Sequence, residues 1–203
     1  MNLRHVAAAA AFGSLTLGAQ AAPVADAAGD FLASFTGTQQ AALDVLSSDV
    51  SFDVVHQRFN LHAVTSGAIA GAPGAAYVFG FDRGGAANSP FGAIGAPGIA
   101  FNATAVLRSN GTGSVGANPI SVNIVGNEIF ATVLASLLPS NGAVFEDYEW
   151  ALWSIDATIT GLPRNADFAP GVNTLVAVVP EPASLALVAL GLAGIGALRR
   201  RRA

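Results

Sequence analysis

The sequence contains no cysteine and no lysine. Without cysteine the chain has no disulfide bond, no thiolate metal ligand, no cysteine nucleophile and no lipid-modified cysteine of the lipoprotein type. Without lysine it lacks the residue that a P-loop nucleotide site requires. Charge is also scarce, because 11% of the 203 residues are charged and 52% are hydrophobic. We expect a chain of this length to form one domain with short targeting segments.

Positive charge is concentrated near the two ends of the sequence. Arg4 and the run Arg199 to Arg202 account for five of the nine arginines. Between residues 22 and 178, four arginines stand against twelve acidic residues, which is a formal charge of −8. Such a surface repels phosphate backbones, so nucleic acid is not an expected partner.

Residues 1–21 have the features of a secretory signal peptide. Arg4 precedes an alanine-rich apolar stretch over residues 6–17, and Ala19 and Ala21 form a small-x-small cleavage site. We therefore expect the general secretion machinery to export the chain and a peptidase to remove this signal helix.

The last part of the sequence combines a peptide motif, an apolar run and a basic cluster. The motif is Val179, Pro180, Glu181 and Pro182, and the cluster is Arg199, Arg200, Arg201 and Arg202. Residues 183–198 carry no charge. As a helix they would extend roughly 24 Å, a little less than a hydrocarbon core of ~30 Å. The arginines would act as a stop-transfer signal and stay on the cytoplasmic side.

This order of motif, apolar run and arginine cluster resembles the PEP-CTERM sorting signal of Gram-negative bacteria, which is also catalogued as the ice-binding protein C-terminal domain. The resemblance implies that exosortase, a membrane enzyme, recognises and cleaves the tail near the motif. It also implies an inner-membrane-anchored intermediate, a final place at the cell surface or in the extracellular matrix, and a context of exopolysaccharide and biofilm. The alternative, a buried C-terminal helix, leaves the arginine run unexplained.

The central residues alternate in hydrophobicity with a period of two, which is typical of strands with one buried face. The clearest sets are Phe59, Leu61 and Ala63; Tyr77, Phe79 and Phe81; Ile99, Phe101, Ala103, Ala105 and Leu107; and Ile120, Val122 and Ile124. Turn sequences separate them, among them Asn110-Gly111 and Asn118-Pro119. Residues 128–138 suit either a short helix or a buried strand, and we expect a strand leading into a turn. Residues 145–160 are expected to cross the sheet centre.

These patterns predict an all-β domain over residues 22–178, built as an antiparallel β-sandwich of jelly-roll-like form. It would lie between a signal peptide at residues 1–21 and a sorting signal with a transmembrane helix at residues 179–203.

A glycine-rich stretch at residues 111–116 matches the pattern G-x-G-x-x-G. A dinucleotide site of that type needs a helix directly after the glycines to hold the pyrophosphate. Asn118-Pro119 and another alternating segment follow instead. We therefore interpret the stretch as a hairpin loop.

Three aromatic residues are candidates for ligand binding: Tyr148, Trp150 and Trp153. Their flat faces would stack on sugar rings in an extracellular binding module. The alternative is that they belong to the core, since large aromatic residues in a central strand are commonly buried.

Glu146, Asp147 and Glu149 form the densest acidic group. Asp147 and Glu149 would project from one strand face and are weak calcium candidates, since calcium prefers oxygen ligands. A glycosidase pair is a further alternative, and a solvated strand end is the simplest interpretation. His56 and His62 would lie roughly 20 Å apart on one strand, too far for one metal ion.

We therefore expect a non-enzymatic, exosortase-sorted protein of the cell surface or extracellular matrix, with no catalytic residue and no cofactor. Its expected partners are exosortase, the secretion machinery and exopolysaccharide. One alternative is a secreted hydrolase or calcium-dependent enzyme that uses the acidic group. Another is an ice-binding protein, although the sequence has no repeated T-x-T array that would form a flat threonine face.

Overall fold

The computed structural model describes residues 23–177, which fall within the predicted exported domain. They contain eleven strands and five short 3-10 turns, and this part of the chain has no α-helix. The strands are β1 (Val24–Ala25), β2 (Val45–Asp53), β3 (Arg58–Thr65), β4 (Ala75–Asp82), β5 (Ala103–Arg108), β6 (Thr112–Val115), β7 (Asn118–Val125), β8 (Glu128–Leu134), β9 (Glu149–Asp156), β10 (Asn165–Ala169) and β11 (Leu175–Val176). The predicted signal helix and transmembrane helix lie outside the described residues. Between residues 23 and 177 no helix has the length and apolar character needed to cross a membrane.

The strands are joined in one continuous sheet with the order β1-β2-β3-β8-β7-β6-β5-β4-β9-β10, and β11 pairs with β9. All pairings between these strands are antiparallel, which confirms the predicted all-β antiparallel class. A sandwich of two separate sheets is not confirmed, because β7 connects the two halves. Its first residues pair with β6 and its last residues, from Val122 to Val125, pair with β8.

The sheet curls until its two ends meet, which makes it nearly barrel-shaped. The Val45 amide on β2 donates to the Asp167 carboxylate on β10 over 2.9 Å. The Ser48 hydroxyl on β2 donates to the carbonyl oxygen of Ala169 on β10 over 3.4 Å. Side chains rather than a ladder of backbone bonds therefore connect the ends of the sheet.

The inner face of the curled sheet holds the main core. Its largest fully buried side chains include Trp150, Tyr77, Tyr148, Phe52, Phe59, Phe79 and Phe81. The rings of Phe59 and Tyr148 stack with centroids 5.3 Å apart. Aromatic packing of this kind adds stabilisation beyond the area that it buries.

A second apolar layer covers the outer face of β4 and β9. Val78, Trp153 and Phe168 pack there against Phe91 and Ile99, which come from the long connection between β4 and β5. Both faces of β4 and β9 are therefore buried. Residues 145–160 include β9, which lies between β4 and β10 and is next to last in the strand order, so the prediction that this segment crosses the sheet centre is not confirmed.

Two local predictions are wrong. The strand predicted from Ile99 onward begins only at Ala103. Before it, Phe101 pairs with Asn88 in an isolated bridge, and the Asn102 side chain is bonded to Arg83 and Gly84. Asn118-Pro119 does not lie in a turn but starts β7. Pro119 is tolerated because it pairs with β6 on one side only, so its missing N–H leaves no ladder bond unmade.

Candidate functional site

The three aromatic candidates for sugar stacking are all buried. Tyr148 is 0% exposed, Trp150 2% and Trp153 3%. Tyr148 and Trp150 lie in the inner core, and Trp153 lies in the outer layer. These three residues therefore belong to the core, which was the alternative to sugar stacking. None of them offers an open face to a surface sugar.

The Tyr148 hydroxyl donates to the carbonyl oxygen of Leu138 over 3.0 Å. This bond satisfies the polar end of a side chain whose ring is otherwise surrounded by apolar atoms.

The acidic group Glu146, Asp147 and Glu149 is divided between two elements. Asp147 ends a 3-10 turn, Glu149 starts β9, and the Glu149 carboxylate accepts a hydrogen bond from the Thr174 hydroxyl. Among residues 23–177, these acids do not form a group of three close ligand atoms. The arrangement matches the solvated strand end more closely than a calcium site.

The two histidines lie on different elements and each has its own acidic partners. His56 lies in the turn between β2 and β3, 2.7 Å from Asp53. His62 on β3 lies 2.8 Å from Asp49 and 3.2 Å from Glu128. The hydrogen bond to Asp49 raises the pKa of His62 above its usual value, against the lowering effect of burial, and Glu128 adds to the increase.

The glycine-rich stretch at residues 111–116 contains β6, a short strand between two turns. It is neither a hairpin loop nor the entry to a helix, since β6 pairs with β5 on one side and β7 on the other. The structural requirement of a dinucleotide site is therefore not met there.

An acidic cluster that the sequence did not reveal lies where the ends of the sheet meet. Asp26, Asp30 and Asp167 each offer a carboxyl oxygen, and these oxygens lie within 4.8 Å of one another. We call these three residues the aspartate cluster. Burial raises the pKa of Asp167 to about 7 against the lowering effect of the Val45 amide, and nearby carboxylates raise it further. Burial and then Asp30 raise the pKa of Asp26 to about 6.

Sequence spacing could not have identified this cluster, since Asp26 and Asp167 lie near opposite ends of the domain. They meet because β1 and β2 close against β10. Oxygen ligands of this kind suit a hard cation, and the same oxygens repel one another when they are ionised.

A groove of about 660 Å³ crosses the outer face of β5, β4, β9 and β10. Four residues that line it are register partners and form a row across these strands: Arg108, Ala76, Ile155 and Asn165. Val106, Val78 and Trp153 form the next row. Phe91, Phe101 and Leu162 line its sides. The floor and walls are thus apolar, with polar groups at the two ends.

Two arginines define the ends of this surface, which we call the arginine groove. Arg108 lies at its β5 end, and Arg164 lies beside Asn165 at its β10 end. Within residues 23–177 neither arginine forms an ion pair, and no Asp or Glu lines the groove. Arg108 donates to the Ser114 hydroxyl over 3.3 Å.

A family model of the PEP-CTERM protein-sorting motif matches residues 178–202. The match includes the motif around Glu181, the apolar run and the arginine cluster, and it confirms the resemblance stated above. It indicates a chain that is exported, recognised by exosortase and held at the membrane as a sorting intermediate. No curated protein and no solved structure matches the chain.

Proposed function

We propose that the chain is a non-enzymatic protein of the cell surface or extracellular matrix, and that its β domain is a binding module associated with exopolysaccharide. The observation that carries this proposal is the sorting motif at residues 178–202. The motif follows directly after β11, whose Leu175 and Val176 pair with β9. Export therefore delivers a folded acidic domain that exosortase can separate from its membrane segment.

The domain is suited to such an environment. Without cysteine it does not depend on the redox state of its surroundings. Its two buried layers hold the fold without a disulfide.

Replacement of the motif glutamate tests the sorting part of the proposal. With Glu181→Ala the apolar run remains able to insert, but exosortase should no longer process the tail. We expect the full-length variant to accumulate in the membrane fraction of the native host, whereas the wild-type domain appears at the surface or in the matrix. The measurement is immunoblotting of membrane, surface and medium fractions with an antibody to the β domain.

Glu146→Ala is the matched control, because it removes a glutamate from the domain and leaves the motif intact. It should fractionate like the wild type. Normal surface delivery of the Glu181→Ala variant would show that the motif does not direct processing, and the proposal would then be wrong.

A further inference from the structure

We infer that the arginine groove binds an acidic sugar, a hydroxylated ring that carries a carboxylate. This inference rests on the proposed function, because it assigns the ligand class and the binding surface of the proposed module. It is carried by three features of the groove: its charge, its apolar floor and an unpaired polar atom at one end.

The charge of the groove is opposite to that of the domain. Two of the four arginines between residues 22 and 178 line this one surface, although the same residues include twelve acids. Arg58 and Arg83, the other two, are bonded to Asp53 and Asn102 respectively. An anionic ligand would therefore find its favourable potential at Arg108 and Arg164.

The distance between the arginines favours an extended ligand over a single small anion. Arg108 and Asn165 are separated by three strand spacings, or roughly 14 Å at ~4.8 Å per strand. Arg164 is adjacent to Asn165. A chain of sugar rings that carries carboxylates along its length can reach both ends.

The floor between the arginines is apolar, and each of its side chains is more than nine-tenths buried. Ala76, Val78 and Ile155 line it together with Trp153. A sugar ring presents C–H groups on its faces and hydroxyl groups around its rim. Its faces can cover this floor while its carboxylates remain at the polar ends.

Asn165 supplies the third feature. The side-chain NH2 group of Asn165 donates to the carbonyl oxygen of Leu162 over 2.7 Å, so the side-chain amide oxygen of Asn165 faces away from that carbonyl. That oxygen is buried and has no hydrogen-bond partner among the described residues, and the whole residue is 2% exposed. An unpaired buried acceptor is unfavourable, and a ligand hydroxyl would satisfy it. Asn165 lines the groove at its β10 end, beside the partly exposed turn at Gly161 and Leu162.

Calorimetric titration of the full-length protein in mild detergent tests the inference, with trigalacturonate as the probe. The buffer contains EDTA, so that a cation held by the aspartate cluster cannot bridge to the carboxylates. Maltotriose is the neutral control, and benzoate is the control that has a carboxylate and no hydroxyl. We expect saturable binding of trigalacturonate that weakens as salt increases, and no saturable binding of either control.

Three variants locate the binding surface. Arg108→Gln and Arg164→Gln should each weaken binding by about tenfold or more, since each removes a charge-assisted hydrogen bond. Ala157→Glu adds a carboxylate to the exposed rim of the groove and should weaken binding by repulsion. Arg58→Gln is the matched control, because it changes the net charge equally at a site outside the groove, and its affinity should equal that of the wild type.

The inference is overturned if trigalacturonate does not bind, if maltotriose or benzoate binds as well as trigalacturonate, or if both groove arginine variants bind like Arg58→Gln. None of these results would alter the fractionation of Glu181→Ala. Conversely, a failure of sorting would leave the titration unchanged, so the two proposals fail separately.

Discussion

Asp167 is an ionisable side chain in a position where ionisation is unfavourable. It is 2% exposed, and its carboxylate accepts one hydrogen bond, from the Val45 amide. Burial raises its pKa to about 7, and the carboxylates of Asp26 and Asp30 contribute in the same direction. Compared with the unfolded chain, the folded domain therefore favours the protonated form of Asp167.

This pKa predicts a domain that loses stability as the pH increases. Because the folded protein binds the Asp167 proton more tightly than the unfolded chain, the free energy of unfolding falls between pH 3.8 and about 7. Asp167→Asn keeps an oxygen for the Val45 amide and supplies N–H donors to the neighbouring carboxylates. We expect the variant to raise the free energy of unfolding, relative to the wild type, by on the order of 2 kcal/mol more at pH 8 than at pH 4.5. Urea denaturation in EDTA at the two pH values measures this difference.

Asp147→Asn is the control for that series, because Asp147 is exposed and lies outside the aspartate cluster. It should change stability by the same small amount at both pH values. If Asp167→Asn behaved like Asp147→Asn, Asp167 would have to ionise freely in the folded state, and the description of the cluster would be wrong.

At the scale of the element, β4 and β9 set the architecture. All residues of β4 from Ala75 to Phe81 are buried, as are all residues of β9 after Glu149. Gly80 on β4 provides the space that the outer layer needs. A Cβ atom there would lie 2.7 Å from the Trp153 ring and 3.2 Å from the Cβ of Phe101.

We predict that Gly80→Ala destabilises the domain by about 1 to 3 kcal/mol, because the added methyl group overpacks the outer layer. The indole of Trp153 would have to shift, so the tryptophan fluorescence of the native state should change as well. Gly92→Ala is the matched control, since its Cβ would meet only Pro97, at 4.0 Å, and its φ is not positive. Equal thermal midpoints for the two variants would contradict the packing described here.

Periodicity predicted which residues of an element share a face, but not which elements pair. Phe59, Leu61 and Ala63 alternate as expected and are buried on β3. The pairing of β3 with β8, and the connection of two half-sheets through β7, depend on contacts between distant segments. No local pattern encodes these contacts, and a sandwich and a curled sheet have the same alternation.

The candidate site shows the same difference between local patterns, which the sequence reveals, and contacts between distant segments, which it does not. The sorting motif is a local pattern of consecutive residues, so the sequence alone identified it. The arginine groove arises because four strands place Arg108, Trp153 and Asn165 on one surface. Trp150 and Trp153 lie on β9, and Tyr148 lies directly before it. β9 is covered on both faces, whereas the sugar-stacking hypothesis assumed one open face.

At the scale of the whole molecule, the domain and the end of its tail carry opposite charges. Residues 22–178 carry a formal charge of −8, and the last residues include four consecutive arginines. Arginines beside a spanning segment remain on the cytoplasmic side, and an acidic domain does not compete with them for anionic lipid headgroups. The distribution therefore favours one orientation, with the β domain exported and the arginines inside.

This separation predicts a phenotype that differs from loss of the motif. Replacement of Arg199 to Arg202 by glutamine keeps the length of the tail and removes about 1 kcal/mol of membrane attraction per arginine. We expect less of the membrane-anchored intermediate and more unprocessed protein that is released or inverted, whereas Glu181→Ala should accumulate the anchored form in the correct orientation. Protease protection in spheroplasts, with an antibody to the β domain, distinguishes the two outcomes. If the glutamine variant were anchored, oriented and processed like the wild type, the apolar run would suffice for sorting, and the arginines would have no stop-transfer role.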